Sequence, residues 1–275
     1  MNEVTAQPPT TPDRSDQPTR SDAMSQVKYD LSGTAAVITG AAQGIGLATA
    51  IEFARAGAAL LLVDRDAEVL EQAQRLVSGI GSVAAQVADV TDDRAMRRCA
   101  EFANAELGSL EAWVNNAGIV VRNDPDRLTS DERKSTMAVN VDGTWNGSIA
   151  AHAVMAKSGR GSIVNLSSIS AFRVSAGRAA YGPSKAAISA ITRNLAFEWG
   201  PDGVRVNAVA PGFVDTRMTA WLTADPDLLE GVSATIPMRR IASTADIARV
   251  IVALSTEAFA YVTGQTVIID GGWSL

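Results

Sequence analysis

Thr39-Gly40-Ala41-Ala42-Gln43-Gly44-Ile45-Gly46 is the strongest indication of the fold in this sequence. It follows a short apolar run, Ala35–Thr39, and precedes Ile45–Arg55, where apolar residues recur with the helical period. Its three glycines permit a tight turn, a close approach of an anion to the backbone, and close packing of the helix. The stretch therefore predicts a strand, a phosphate-binding turn and a helix. The alternative is that the glycines only end the strand.

Further short apolar runs continue this pattern along the chain. Segments with helical periodicity separate most of them, which is typical of repeated strand–helix units and a parallel sheet. Ala58–Val63 is apolar at every position, as expected of a strand covered on both faces. Right-handed crossovers then predict an α/β fold, a single-domain, Rossmann-like doubly wound parallel sheet of about seven strands with helices on both faces. The further strands are predicted at Ala59–Val63, Val83–Val87, Ala112–Asn115, Ser162–Asn165, Arg205–Ala210 and Thr266–Ile269.

The chain has 275 residues, of which 47% are hydrophobic, enough for one substantial core. Residues 1–29 are rich in Pro, Thr, Ser, Asp and Gln, so we predict a disordered N-terminal tail before one domain at 30–275. Met24 is an alternative start of the chain. Residues 213–238 are predicted to form a lid over a substrate pocket. Ser243-Thr244-Ala245-Asp246 has capping-box spacing and predicts the start of a last helix that runs to Leu254.

Charge and residue usage exclude several classes of partner and site. The net charge of −6 argues against a nucleic-acid surface, and small molecules are the expected ligands. The sequence has no run of 18 or more apolar residues, so we expect no membrane span. The single cysteine, Cys99, excludes an intrachain disulfide and a multi-cysteine zinc site, and fits a cytoplasmic location. The one histidine, His152, lies in an apolar helical stretch, where packing is expected and a metal site is not.

Tyr181 and Lys185 share a helix face because they lie four residues apart. An ammonium group beside a phenol favours the ionised phenol, which takes a proton from an alcohol. Lowering a phenol pKa from about 10 to about 7 requires roughly 4 kcal/mol, so the lysine needs help from a second cation, such as an oxidised nicotinamide. Amphipathic helices also carry this pair by chance. Pro183, between the two, places Tyr181 near a helix start or bend.

Two acidic residues follow the second and third predicted strands. Asp64 is placed to accept hydrogen bonds from the two adenosine ribose hydroxyls, and its charge would repel a 2′-phosphate, which favours NAD over NADP. Arg65 points to solvent or, alternatively, binds such a phosphate. Asp89, with Val90, either contacts the adenine or caps a helix that begins near Thr91.

With these motifs, the chain resembles the classical short-chain dehydrogenase/reductase family from about Leu31 to its C-terminus. Several short motifs agree in order and spacing with that family. They are Thr39–Gly46, Asn115-Asn116-Ala117-Gly118, Asn140 within Val139-Asn140-Val141, Ser168 within Asn165-Leu166-Ser167-Ser168, Tyr181 with Lys185, and Pro211-Gly212 running to Thr216.

The resemblance implies a catalytic role for four residues. Ser168 and Tyr181 would hydrogen-bond the substrate oxygen, with Tyr181 as the acid/base. Lys185 would lower the pKa of Tyr181 and hold the nicotinamide ribose. Asn140 would anchor a water that leads protons from Lys185 towards solvent. Ser167 is the competing serine, and the family interval to the tyrosine selects Ser168.

The resemblance also implies where a dinucleotide would lie. Val214 and Thr216 would contact the carboxamide, while Asn115 and Asn116 either border the cofactor or only build a turn. The cofactor-binding residues are predicted to be Gly40, Gln43, Gly44, Ile45, Gly46, Asp64, Arg65, Asp89, Val90, Asn116, Ala117, Gly118, Tyr181, Lys185, Pro211, Gly212, Val214 and Thr216.

The expected activity is the NAD-dependent interconversion of a secondary alcohol and a ketone, by a homotetramer as is usual in the family. An NADPH-dependent carbonyl reductase of the 3-oxoacyl type is the alternative if Arg65 outweighs Asp64, and a catalytically silent dinucleotide-binding protein is another. Arg173 and Arg178 lie between Ser168 and Tyr181, where either would bind an anionic group of the substrate or face solvent or another subunit.

Overall fold

The computed structural model describes residues 29–275. Apart from Tyr29, the predicted tail lies outside the described residues, and so does the alternative start at Met24. Within the described part of the chain, no helix is long and apolar enough to cross a membrane.

Seven parallel strands form one sheet with the order β3-β2-β1-β4-β5-β6-β7. Each predicted strand coincides with an observed one, and the ends differ by at most three residues. Two-sided burial explains the apolar runs, since Leu60, Leu61, Leu62 and Val63 are all fully buried. The predicted fold is confirmed. The strands are β1 (Thr34–Thr39), β2 (Ala59–Asp64), β3 (Val83–Val87), β4 (Ser109–Asn115), β5 (Gly161–Leu166), β6 (Val204–Pro211) and β7 (Thr266–Ile269).

Helices connect the strands and cover both faces of the sheet. Two short π turns interrupt this pattern, at Ala103–Leu107 and Ala138–Asp142. The α-helices of the described residues are α1 (Gly44–Arg55), α2 (Ala67–Ser78), α3 (Asp93–Phe102), α4 (Ser130–Met137), α5 (Gly143–Ser158), α6 (Tyr181–Trp199), α7 (Ala220–Thr223), α8 (Pro226–Thr235) and α9 (Thr244–Leu254).

The core consists of two layers, one on each face of the sheet. Phe53 of α1 and Ile251 of α9 lie in one layer, against alternate side chains of the central strands. Met96 of α3 and Met155 of α5 lie in the other, together with Trp113 of β4. Because both faces are covered, the open positions of the sheet are at the carboxyl ends of its strands, where loops rather than packed helices lie.

The observed cap of α9 agrees with the prediction from the sequence, and the cap of α3 differs from it. Ser243 and Asp246 form the predicted capping box, so α9 begins at Thr244. The capping alternative for Asp89 is wrong, because α3 begins at Asp93 and Asp92 caps it. Asp89 instead accepts hydrogen bonds from the backbone N–H and hydroxyl of Thr91, at 2.9 and 2.8 Å. This turn delays the start of the helix.

His152 has a packing role, as expected. Its ring stacks on Trp199 with a centroid distance of 4.1 Å, and its Nε2 lies 2.8 Å from Asp202 Oδ2. These contacts join α5 to the end of α6, away from the carboxyl edge of the sheet.

Candidate active site

A cavity of about 560 Å³ lies at the carboxyl edge of the sheet, beside the ends of β1 and β4. The winding of the sheet reverses between these two strands, and the size is within the usual range for ligand sites. Most predicted site residues line this cavity, with Gly46 and Asn140 outside its lining. The lining includes Gly40, Gln43, Gly44, Ile45, Asp64, Arg65, Asp89, Val90, Asn116, Ala117, Gly118, Ser168, Tyr181, Lys185, Pro211, Gly212, Val214 and Thr216.

The turn between β1 and α1 leaves the first backbone amides of the helix available to an anion. Gln43 is the N-cap residue but its side chain makes no capping hydrogen bond, and the first turn carries no acidic residue. Gly40 and Gly44 have positive φ values, 62° and 57°. A helix N-terminus with free N–H groups and a positive dipole end suits the pyrophosphate of a dinucleotide.

Gly46 permits the close packing of α1 and does not line the cavity. A Cβ added there would lie 2.2 Å from the Gly40 carbonyl oxygen and 2.6 Å from Asn116 Nδ2. Asn116 Nδ2 also donates to the carbonyls of Thr39 and Gly40, at 2.9 and 2.8 Å. The glycine therefore lets α1 approach the turn closely enough to shape the cradle.

Asn115 and Asn116 have different roles. Asn115 is buried and joins β4 to α5 and β5, because its side chain accepts from Trp113 Nε1 and donates to Ser148 and Asn165. It does not line the cavity. Asn116 combines a structural turn with a place in the lining.

Asp64 lies at the end of the cavity away from Tyr181. One carboxylate oxygen accepts from the Ala42 N–H at 3.1 Å, and the other accepts from the Asp66 N–H at 3.2 Å. These bonds fix the carboxylate at the end of β2 and leave lone pairs for further donors. Arg65 is exposed and also lines the cavity, so its side chain has access to the same region.

Tyr181 begins α6 and Pro183 occupies its first turn, which agrees with the predicted start. Tyr181 is 7% exposed and Lys185, one turn later, is 4% exposed. The Lys185 Nζ lies 5.7 Å from the centre of the Tyr181 ring and donates to the Leu166 carbonyl at 2.6 Å. The i and i+4 spacing thus brings both groups to one wall of the cavity.

Burial changes the acidity of both groups. Burial raises the pKa of Tyr181, and interactions with the Ser168 hydroxyl and with the Arg178 and Arg122 guanidinium groups oppose that rise. Burial lowers the pKa of Lys185 to about 8. Arg122 and Arg178, which are not among the four predicted catalytic residues, therefore act on the Tyr181 phenol.

Asn140 lies in the π turn between α4 and α5 and is fully buried. Its Oδ1 accepts from the Ile119 N–H at 2.8 Å, and its Nδ2 donates to the Ile119 carbonyl and to Ser184 Oγ. Its backbone carbonyl accepts from the Thr144 hydroxyl at 2.7 Å. The side chain therefore ties the loop after β4 to α6, and a second lone pair of the carbonyl remains for a water.

Ser167 and Ser168, the two candidate serines, differ in their hydrogen-bond contacts. The Ser167 hydroxyl hydrogen-bonds with Ser189 and donates to the Lys185 carbonyl, both at 2.9 Å. Ser168 accepts from the Ser170 N–H at 3.1 Å and lies in the cavity near Tyr181. Ser168 is thus the serine that the structure brings next to the tyrosine.

A smaller pocket continues from Ser168 and Tyr181 towards α7. Arg178 lines it, whereas Arg173 donates to the Trp273 carbonyl at 2.6 Å and stacks on that indole at 4.2 Å. Sequence reasoning missed Arg122 and Trp273, both of which line this pocket. Arg122 could have been found as a cation following the end of β4, since loops there face the site.

The described residues contain no group of three or more His, Cys, Asp and Glu side chains able to hold a metal ion. The groups that face the cavity instead include backbone amides, the fixed carboxylate of Asp64, and the hydroxyl and ammonium groups near Tyr181. These fit a nicotinamide dinucleotide, with the glycine turn for its phosphates and Asp64 for its ribose.

A family model described as "Enoyl-(Acyl carrier protein) reductase" matches residues 40–274. The chain belongs to the short-chain dehydrogenase/reductase family. The predicted resemblance to that family is confirmed, and the chain is an oxidoreductase of this family.

Similar members of the short-chain dehydrogenase/reductase family include dehydrogenases of known name. Galactitol 2-dehydrogenase (L-tagatose-forming) of Cereibacter sphaeroides is 40% identical, over 90% of this chain and 97% of the relative. Gluconate 5-dehydrogenase of Gluconobacter oxydans (strain 621H) is 34% identical, over 89% and 96%. A solved gluconate 5-dehydrogenase from Burkholderia cenocepacia J2315, in complex with NADP and tartrate, is 29% identical with a TM-score of 0.83, over 90% and 97%. For this chain, the preference for NAD stays a prediction.

Proposed function

We propose that the protein interconverts a secondary alcohol and a ketone with NAD as the preferred hydride carrier, using Tyr181 as the acid/base. One observation carries this proposal. Ser168, Tyr181 and Lys185 line the same cavity as the glycine turn and Asp64. A dinucleotide whose phosphates bind to the glycine turn would therefore reach the Tyr181 phenol with its nicotinamide end.

In the proposed mechanism, Ser168 and Tyr181 hold the substrate oxygen and Tyr181 takes the hydroxyl proton of the alcohol. When bound, the oxidised nicotinamide supplies the acceptor for the hydride. The phenol needs a pKa near neutrality to act as a base, and its burial works against this. The positive charges of Arg122 and Arg178, together with Lys185 on the same wall, favour the ionised phenol.

Lys185 has two proposed tasks. Its ammonium is anchored to the Leu166 carbonyl and retains two further N–H donors, which suit a ribose hydroxyl. Because burial lowers its pKa to about 8, it exchanges protons more readily than an ordinary lysine. Asn140 would hold a water for that exchange through its backbone carbonyl, and Gly118 leaves room beside both residues.

The preference for NAD rests on Asp64. A 2′-phosphate in the adenosine site would meet the fixed carboxylate, and like charges within a partly desolvated pocket repel. The exposed Arg65 favours a second candidate function, an NADPH-dependent carbonyl reductase of the 3-oxoacyl type, because its guanidinium reaches the same region of the cavity.

Further properties of the protein belong to this proposal. Residues 213–238, which contain α7 and α8, would act as a lid, since Met218 and Thr219 line the cavity. The exposed Trp145 of α5 and Phe197 of α6, at 45% and 84%, support a homotetramer. The single domain at 30–275 and a cytoplasmic location complete the proposal.

The test is turnover of a panel of sugar, cyclic, terpene, steroid and hydroxyacyl secondary alcohols, followed as NADH formation and, in parallel, NADPH formation. The proposal expects turnover with NAD for at least one class and a higher kcat/KM with NAD than with NADP. A higher kcat/KM with NADP would favour the carbonyl reductase. No turnover by protein that binds NADH would contradict the proposed catalysis.

A further inference from the structure

The pocket beyond Tyr181 is lined by two arginines and by no carboxylate. Arg122 comes from the loop after β4, and Arg178 comes from the segment before α6. Both lie close enough to Tyr181 for their charges to lower the pKa of its phenol. They are therefore near the position at which a substrate oxygen would be held.

Each guanidinium is held in place by a neutral partner. Arg178 donates to the Ser170 hydroxyl at 2.7 Å. Arg122 donates to the Met218 carbonyl at 3.0 Å and lies 4.9 Å from the centre of the Trp221 ring. These contacts orient the side chains and leave most of their five N–H donors for another acceptor.

Within the part of the chain that the structure describes, neither charge is balanced by a carboxylate. Among residues 29–275, the salt bridges involve other arginines and His152, and none includes Arg122 or Arg178. The two cations also repel each other, since the pKa of Arg122 is lowered by its burial and then by the charge of Arg178. In a chain with a net charge of −6, an uncompensated pair of cations at a pocket is a specific feature.

We infer that Arg122 and Arg178 together bind a carboxylate of the substrate, which is then a hydroxy acid such as a sugar acid rather than a neutral polyol. The inference rests on the proposed function, because it places the carboxylate beside the carbinol that Tyr181 deprotonates. A carboxylate relieves the repulsion between the two guanidinium groups and accepts their remaining N–H donors. Arg173, the other arginine singled out in the sequence, is held by Trp273 and has no part in this site.

The contacts of Arg122 also link the anion to the proposed lid. Met218 and Trp221 belong to residues 213–238, so a carboxylate that fixes Arg122 fixes the lid as well. A sugar acid would thus be held at its carbinol by the catalytic groups and at the nearby carboxylate by a cation attached to the lid.

Calorimetry of the enzyme–NADH complex tests this directly, with a six-carbon sugar acid and the matching six-carbon alditol as probes. We expect the acid to bind at least about tenfold more tightly than the alditol. Arg122→Gln and Arg178→Gln should each weaken acid binding by at least about tenfold and leave alditol binding unchanged. Arg249→Gln is the control, because Arg249 is an exposed arginine of α9 outside both pockets.

Equal binding of acid and alditol, or an equal loss of both in the variants, would overturn the carboxylate site. The outcome is independent of turnover. Acid binding that depends on both arginines, without oxidation of any alcohol, would overturn the proposed function and keep the anion site. Oxidation of neutral alcohols without any preference for the acid would overturn the anion site and keep the proposed function.

Discussion

At the scale of single residues, we expect Asp64 to select between the two dinucleotides. Replacing its carboxylate with the amide in Asp64→Asn removes the repulsion of a 2′-phosphate and keeps an oxygen for the Ala42 N–H. We expect the ratio of kcat/KM for NAD to that for NADP to fall by about tenfold or more, about 1.4 kcal/mol. Steady-state kinetics with both cofactors measures it.

Asp131→Asn is the matched control, because it makes the same charge change on the exposed side of α4. An unchanged ratio in Asp64→Asn would show that Asp64 does not select the cofactor, and Arg65 would become the next residue to replace.

Site residues were predictable where a sequence motif fixes them, and less so where the path of a loop brings them to the site. Ser168, Tyr181 and Lys185 were found from their spacing, and the structure brings them to one cavity. Arg122 was missed because its approach to Tyr181 depends on the path of the loop after β4 and on its contact with Met218. The position after β4 places Arg122 in a loop that faces the site, but neither the path of that loop nor the contact with Met218 can be read from the sequence.

At the scale of elements, the junction of β1 and α1 depends on close packing at Gly46. An added Cβ would overlap the Gly40 carbonyl and Asn116, which are fixed by hydrogen bonds to each other. We expect Gly46→Ala to destabilise the fold by about 1–3 kcal/mol and to weaken NADH binding. Thermal unfolding and calorimetry measure the two effects.

Gly200→Ala is the control for that substitution, since an added Cβ there meets no atom within 4 Å. The prediction fails if Gly46→Ala keeps both the Tm and the NADH affinity of the wild type, because α1 would then have room to move.

The strands and the starts of α1, α6 and α9 were predictable because short local stretches of sequence determine burial and capping. The capping box at Ser243 and the apolar run of β2 are examples. The π turn at Ala138–Asp142 was not predicted, because the contacts of its Asn140, with Ile119 and Ser184, join residues that are distant in sequence. The start of α3 was misplaced for a local reason, the turn at Asp89.

At the scale of the whole molecule, the order of the strands places the site. The reversal between β1 and β4 opens the carboxyl edge, and the two core layers hold the edge rigid. The doubly wound sheet followed from the repeated strand–helix pattern. Self-association did not, because an apolar residue on a helix has the same pattern whether it faces the core or another subunit.

We expect a homotetramer in solution, with α5 and α6 in its interfaces. Phe197→Glu places a charge on the exposed apolar face of α6 and should yield smaller species in light scattering. Leu76→Glu, at a half-exposed site on α2, is the control. A wild-type protein that stays monomeric at working concentration would contradict the assembly.

The central claim is that Tyr181 transfers the proton in a dinucleotide-linked oxidation, and the most direct test is Tyr181→Phe. The measurement pairs kcat for the best alcohol of the panel with the NADH dissociation constant, and uses the fully exposed Tyr261→Phe as control. We predict that kcat falls by about 10²–10⁴-fold while NADH binding weakens far less, because the ring stays and only one hydroxyl is lost. Wild-type turnover by Tyr181→Phe would contradict the account.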